Sequence, residues 1–348
     1  MKRAYIAATA LAVSLLCAPL AGAQKAMTEA ETKLYEAAKA EGAFNWYTSM
    51  MDTERTDQFC LLFEKKYPGV DCRALRATGG VTFQRLTQEI QASAVEADVF
   101  STNDLTDLIE LQKGGNLLAY KPDNLQYMVP ALRDMGDPEG HWVISMISPL
   151  GIGYNTRLVK AEEAPRNWTD LLDPRWKGQV AIGHPGFSGS IGLWTLAMKQ
   201  LYGWEFFEKL ETNKPQIGRS ITDGRNLIVS GERQVAVIGV NNAEEMSRNG
   251  APIKVVYPTD GMLVPPSGTA ILAKAPRPNA AKLFAEFMLS EEAARFQADS
   301  MRYPMRADVP APEGVPDLAS AKTLFVPPET AAEELQKVQN EFRDTFGI

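Results

Sequence analysis

Apolar positions recur along this chain with two periods, near 3.6 in some stretches and continuous or alternating in others, and the switching between them predicts an α/β protein. The clearest run is Val235-Ala-Val-Ile-Gly-Val240, small and β-branched, which suits a strand buried on both faces. It stops at Asn241-Asn242, and the helix-favouring Ala243-Glu-Glu-Met246 follows at once. A buried strand that ends in polar side chains before a helix presents them at the carboxyl edge of a sheet, where open α/β sheets take their ligands. Taken alone, Asn241 reads as a helix cap.

The first third has a β-α-β-α-β rhythm. A helix over Thr28–Gly42 precedes a strand over Phe44–Ser49, then a helix from Thr53 to Tyr67 that Pro68-Gly69 breaks. Val70–Leu75 is the second strand and Ala97–Phe100 the third. Between them Phe83, Leu86, Ile90 and Val95 mark a helix over Val81–Val95. Such a rhythm predicts a parallel sheet with helical crossovers. Three strand ends carry small polar residues just before a helix: Thr48-Ser49, Thr78-Gly79-Gly80 and Ser101-Thr102-Asn103. Ordinary capping accounts for any one of them. Three along one sheet edge predict a ligand cleft, because helix N-termini and loop N–H groups attract anions.

Residues Tyr120–Glu139, rich in Pro, Asp and Asn, read as a crossing segment, and Gly140–Asn155 as a strand pair or one bent strand with Ser148-Pro149 lining the hinge. The loop His184-Pro-Gly-Phe-Ser-Gly-Ser190 precedes an apolar helix from Ile191 to Tyr202. Its Ser188, Gly189 and Ser190 make a second N–H-rich nest without the lysine or spacing of a nucleotide P-loop. His184 and Arg219 are candidates for positive charge beside it, although a lone histidine is more often structural. Asp260, in Thr259-Asp260-Gly261, either receives an amine or hydroxyl or is a plain turn residue. An amphipathic helix over Ala280–Leu289, a Ser290 cap and a last helix from about Glu329 to Arg343 complete the chain.

At 348 residues the chain is long enough for two lobes, and its formal charge of -7 argues against a nucleic-acid or anionic-membrane binder. Lys2 and Arg3, an apolar core from Ala4 to Leu16, and Ala21-Gly22-Ala23 form a Sec-type signal peptide, residues 1–23, that predicts export to the periplasm. Ser14-Leu15-Leu16 lacks the small residues that a lipid anchor on Cys17 requires. Cleavage after Ala23 leaves Cys60 and Cys72, either a disulfide stapling a helix to the next strand or two buried thiols.

From Gly140-His-Trp and Gly153-Tyr-Asn155 through Trp168-Thr-Asp-Leu-Leu-Asp-Pro-Arg-Trp-Lys-Gly178, Gly231-Glu232 and Ala280–Arg295, the order and spacing resemble the type-II periplasmic solute-binding proteins of ABC importers, in the group first known from ferric-ion binding. The resemblance implies two α/β lobes joined by crossing strands, one of residues 24–132 plus 264–305, the other of 133–263 plus 306–348. It implies a monomer without cofactor or catalysis that closes on a solute and delivers it to an inner-membrane permease and its ATPase. In ferric-binding members two adjacent tyrosines ligate the metal, where this chain has Asn241-Asn242. Neutral amides are poor ligands for a hard trivalent cation and good partners for an organic ligand. The expected ligand is therefore a small organic anion, a phosphonate, phosphate ester or carboxylate, with capture of ferric ion or a ferric chelate as the alternative. A secreted hydrolase fits worse. Only His141 and His184 are available, no Gly-x-Ser-x-Gly or His-Glu-x-x-His is present, and Gly186-Phe-Ser-Gly189 is only part of a nucleophile elbow.

Overall fold

The computed structural model describes residues 27–318 and 321–348, so the expected signal peptide lies outside the described residues. The first stretch runs α1 (Glu29–Glu41), β1 (Ala43–Thr48), α2 (Thr53–Lys66), β2 (Asp71–Arg76), α3 (Gly79–Gln91), β3 (Val99–Thr102), α4 (Leu105–Lys113), β4 (Leu117–Leu118), α5 (Pro130–Arg133) and β5 (Trp142–Ile147). The middle comprises β6 (Leu150–Asn155), β7 (Val180–Gly183), α6 (Gly189–Tyr202), α7 (Glu205–Thr212), β8 (Gln216–Gly218), α8 (Ile221–Ser230), β9 (Val235–Gly239), α9 (Val240–Arg248), β10 (Ile253–Val256) and β11 (Met262–Leu263). The chain ends with β12 (Pro266–Leu272), α10 (Pro278–Met288), α11 (Glu291–Asp299), β13 (Thr323–Leu324) and α12 (Pro328–Phe346).

Among the described residues these strands form two sheets. One has the order β2-β1-β3-β12-β4, with β5 also on β12; the other has β13-β11-β6-β9-β7-β8, with β10 also on β6. Strands β1, β2 and β3 are mutually parallel, as are β7, β8 and β9. The Val235–Gly239 run is buried on both faces as its composition requires. Val235 and Val237 pack into one core with Trp168, Trp194 and α12, while Ala236 and Ile238 pack into another with Ile228. Gly153 on β6 permits this second layer, since a Cβ there would lie 2.6 Å from Ile238 Cδ1 and 2.7 Å from Ile228 Cδ1.

The lobes are joined where strands change sheet. Strand β5 ends at Ile147, paired with Pro266, and β6 begins at Leu150, paired with Gly239. Strand β11 ends at Leu263, opposite Leu150, and β12 begins at Pro266. Two crossings of two residues each, Ser148-Pro149 and Val264-Pro265, therefore link the two sheets, and the Ser148 N–H donates to the Pro265 carbonyl at 3.0 Å. Strands β5 and β6 lie in different sheets and do not pair with each other.

The lobe boundaries differ from those expected at residues 133 and 305. Strand β5 belongs to the first sheet, so the chain changes lobe at Ser148-Pro149. Both β5 and β6 are apolar and fully buried, so pattern alone does not assign either to a sheet. After α11 the chain stays with the first lobe. Met305 accepts from the Val129 N–H, the Ala307 N–H donates to Tyr127, and Tyr303, Met305 and Val315 pack with Leu132 and Ile144. It rejoins the second lobe at β13, paired to β11.

Cys60 on α2 and Cys72 on β2 form a disulfide with Cα atoms 5.3 Å apart, 12 residues apart in sequence. Closing so short a loop in the unfolded chain contributes about 3 kcal/mol in the chain-entropy view. Reduction of the native protein is expected to lower the unfolding free energy of the first lobe by about that much, read as a lower urea midpoint. Coincident unfolding curves with and without reductant would rule this out.

Candidate ligand cleft

The crossings set the geometry of the space between the lobes. Because β5 runs toward the carboxyl ends of β1–β3, and β6 departs from the carboxyl ends of β7–β9, the two carboxyl edges face each other across the hinge. Sheet order then ranks the strand ends by depth. Strands β3 and β9 lie next to the hinge strands, β1 and β7 come next, and β2 and β8 lie outermost. With strands about 4.8 Å apart, roughly 10 Å separates the ends of β3 and β9 from those of β2 and β8 at the rim. Asn103 and Asn241-Asn242 occupy the deep level, Ser49 and the His184–Ser190 loop the middle, and Thr78-Gly79-Gly80 and Arg219 the rim.

In the first lobe the ends converge. A Cβ on Gly79 would lie 3.6 Å from Ser49 Oγ and 3.8 Å from Thr102 Oγ1. Ser49 is 8% exposed, and its buried hydroxyl has no partner among the described residues. Asn103 bridges strand ends, donating from Nδ2 to the Ser49 carbonyl at 2.9 Å and accepting at Oδ1 from Ser267 Oγ at 2.6 Å. Thr78 is the N-cap of α3 and Ser188 that of α6, and in neither case does the side chain cap the helix. Each lobe thus directs a glycine-rich helix N-terminus at the gap, Gly79-Gly80 from one and Gly189-Ser190 from the other.

Several sequence candidates are occupied elsewhere. Strand β3 extends through Thr102, two residues beyond the expected end, which puts Ser101 inside the sheet. There its hydroxyl accepts from Trp46 Nε1 at 2.8 Å and bonds Thr269 Oγ1 at 2.7 Å. The Thr102 hydroxyl donates to Asp107 and accepts from the Asp104 N–H. Asp260 lies at the opposite end of α6, about 20 Å from Gly189 by helix rise. In the Pro258–Gly261 turn its Oδ2 accepts from the Trp168 N–H and the Tyr202 hydroxyl, while Oδ1 has no partner among the described residues. His184 Nδ1 accepts from the Gly186 N–H, and the ring packs on Phe187 and Phe342. Burial, then the Arg343 charge, push its pKa down. The ring braces the loop, and these surroundings disfavour its charged form. Arg219 is exposed and stacks over the exposed Phe187 ring at 5.1 Å. Pro149 accepts from the Val240 N–H, tying the hinge to α9. Asn241 is not a cap, since α9 begins at Val240 with Gly239 as N-cap. Its side chain is 5% exposed and Oδ1 has no protein partner. Asn242 is exposed.

Two flanks bound the cleft. On one, α4 meets α12 around a 260 Å³ pocket lined by Asn103, Asp104, Gly189, Leu193 and Leu335. On the other, Arg55 of α2 pairs with Glu245 of α9. Beside this pair lies Arg302, an isolated arginine after a helix that no motif in the sequence marks. It is 7% exposed. Its guanidinium reaches Asn242 Oδ1 at 3.5 Å and Met146 Sδ at 3.9 Å, and its buried Nε has no partner among the described residues. Among the described residues no group of three His, Cys, Asp or Glu side chains is placed to hold a metal ion.

Residues 94–332 match the family described as bacterial extracellular solute-binding protein. The chain belongs to this family. This solute-binding protein is 32% identical over 252 residues to an uncharacterized protein of Haemophilus influenzae, covering 69% of the chain and 72% of the relative. It is 28% identical over 261 residues to a putative 2-aminoethylphosphonate-binding periplasmic protein of Salmonella typhimurium, covering 70% and 72%. Its fold matches that of the periplasmic binding protein AfuA from Actinobacillus pleuropneumoniae, a structure with exogenous fructose-6-phosphate bound. That match has a TM-score of 0.74 at 26% identity and covers 88% of this chain and 99% of AfuA. The fold is the two-lobed type-II architecture of ABC importer binding proteins, and the protein is the substrate-binding component of such an importer.

Asp107, on the first turn of α4 beside the cleft, carries a pH signature. Burial, followed by the neighbouring Asp104 charge, pushes its carboxyl up to about 7. The unfolded group titrates near 3.9, so between about pH 4 and 7 the folded state holds a proton that the unfolded state releases. Its contribution to stability is therefore full below that window and is lost as pH rises through 7. Asp107→Asn, which keeps an acceptor for Thr102, is expected to melt above the wild type at pH 8, by a margin that shrinks at pH 5. A margin that does not change with pH would refute the shift.

Proposed function

We propose that this solute-binding protein works in the periplasm, exported by residues 1–23, and captures a small organic anion: a phosphonate, phosphate ester or carboxylate. The observation that carries the reading is the pair of uncapped helix N-termini, Gly79-Gly80 from one lobe and Gly189-Ser190 from the other, on facing carboxyl edges. Each offers first-turn N–H groups and the positive end of a helix dipole, and an anion between them gains partners from both lobes only when the lobes close. Ser49 and Asn241, whose buried Oγ and Oδ1 have no protein partner, supply hydrogen bonds deeper in the cleft. Closure follows from differential binding, since a ligand bridging two walls favours the state in which both touch it.

Asn241-Asn242 support an organic solute over ferric ion for the chemical reason already given. The names of the aminoethylphosphonate-binding relative and of the fructose-6-phosphate-bound structure agree with a phosphorus oxyanion as the leading member of the class. Acting as a monomer, the closed form is the one read by an inner-membrane permease and its ATPase.

Melting of the mature chain, residues 24–348, against 2-aminoethylphosphonate, fructose 6-phosphate, citrate, uncharged fructose, ethanolamine and ferric citrate tests this. An anion at about 100-fold its Kd adds about 2.7 kcal/mol, a rise of several degrees. A response confined to fructose, to ethanolamine or to the iron complex would overturn the reading.

A further inference from the structure

The most unusual charged group among the described residues is Arg302. It is buried, yet no carboxylate bonds it. Glu245 is engaged by Arg55, and Asp52 caps α2 through the Arg55 N–H. A guanidinium has five N–H donors, and those of Arg302 reach only a thioether at 3.9 Å and an amide oxygen at 3.5 Å, with Nε unmatched. A buried charge is costly unless paired and hydrogen-bonded, so a fold that keeps this one unpaired keeps it for a partner from outside the chain. Burial and the Arg55 charge push its pKa down, more than Asp52 and Glu245 restore, consistent with a group short of negative charge.

Its position is equally specific. Met146 is the penultimate residue of β5, one step from the hinge, and Asn242 stands on the first turn of α9 in the opposite lobe. Arg302 therefore lies between the lobes at the deep end of the cleft. The backbone delivers it there. Met301 takes φ 58°, a left-handed conformation unfavourable for a residue with a side chain, and the Arg302 N–H returns to the Gln297 carbonyl at 2.8 Å.

We infer that Arg302 is the residue of the first lobe that receives the ligand's anionic group, by a forked hydrogen-bonded pair at the hinge end of the cleft, with Asn241 and Asn242 completing the contact from the second lobe. The planar fork matches a carboxylate, phosphonate or phosphate edge, and the pair gains strength from its burial. The long Asn242 contact gives way when the anion arrives, which connects binding to the α9 side of the interface. The inference rests on the organic-anion reading above and adds a charged side chain at the hinge end to the two helix N-termini that reading uses.

The test compares the wild type with Arg302→Met and Arg302→Lys, each melted alone and titrated with the anion from the panel that raises the wild-type Tm most. The Met variant, with the unpaired charge gone, is expected to melt without ligand at or above the wild type and to bind the anion about 100-fold more weakly or worse. The Lys variant, a point charge without the fork, is expected to lose about 10-fold. Unchanged affinity in the Met variant overturns the assignment while leaving the organic-anion function standing. A ligand-free Tm several degrees lower with affinity intact makes Arg302 a structural residue and also overturns it. Should the Met variant not fold, wild-type affinity in the Arg302→Lys variant overturns the forked contact. A wild type that answers only to fructose or ethanolamine removes both this assignment and the function on which it rests.

Discussion

Everything in this molecule depends on the two short crossings at Ser148-Pro149 and Val264-Pro265. Proline has no N–H to offer a ladder, so each sheet stops there and the chain passes to the other. The crossings run antiparallel and are tied by the Ser148–Pro265 hydrogen bond. They connect carboxyl edge to carboxyl edge, which fixes the orientation of the lobes. Every parallel strand in either lobe must therefore end facing the other lobe, and every helix that follows one must begin there. The cleft is thus a consequence of connectivity, and its chemistry follows from what helix N-termini and strand-end side chains can offer.

The same constraint divides the interior of the cleft. On one flank α4 approaches α12 around a pocket with substantial apolar lining; on the other α2, α9 and the turn after α11 bring Arg55, Glu245, Asn242 and Arg302 together. The Arg55–Glu245 pair is partly exposed, with side chains 19% and 38% accessible, so it contributes little to stability and is suited to a contact that opens and closes. The buried Arg302 beside it is a different kind of group. Its solvation has been given up and no carboxylate replaces it. Ser49 Oγ and Asn241 Oδ1, at strand ends on the two facing edges, also lack partners among the described residues, as do atoms elsewhere such as Trp176 Nε1 and Trp194 Nε1.

Much of the fold was legible from pattern. The β-α-β rhythm, the helix over Thr53–Lys66, the buried strand at Val235 and the Ser290 cap all arise from local preferences that neighbours in sequence decide. The levels of the cleft were legible in part, because a polar residue after a strand and before a helix must lie at a carboxyl edge. Uses that depend on distant partners were not. Ser101 resembled a loop residue until β12 supplied Thr269 from 168 positions away. Asp260 was open between a ligand contact and a turn; it lies in the turn, and Trp168 and Tyr202, remote in sequence, bond its Oδ2. His184 was open between a cation and a structural residue, and its contacts with the Gly186 N–H, Phe187 and the distant Phe342 favour the second.

The sequence by itself determined the class of protein: an exported-type pattern at the N-terminus, two runs of α/β pattern, glycine-rich helix starts in each half, and amides at Asn241-Asn242, where the resemblance implies tyrosines for ferric binding. These are properties of residue type and spacing. The tertiary structure decided which lobe owns β5, how deep each strand end lies, which polar side chains are used up inside the lobes, and that Arg302 reaches the hinge from a turn far along the chain from Asn241-Asn242. The physical reason is that hydrogen-bond satisfaction and desolvation are set by neighbours in space, and for these residues those neighbours come from remote parts of the chain.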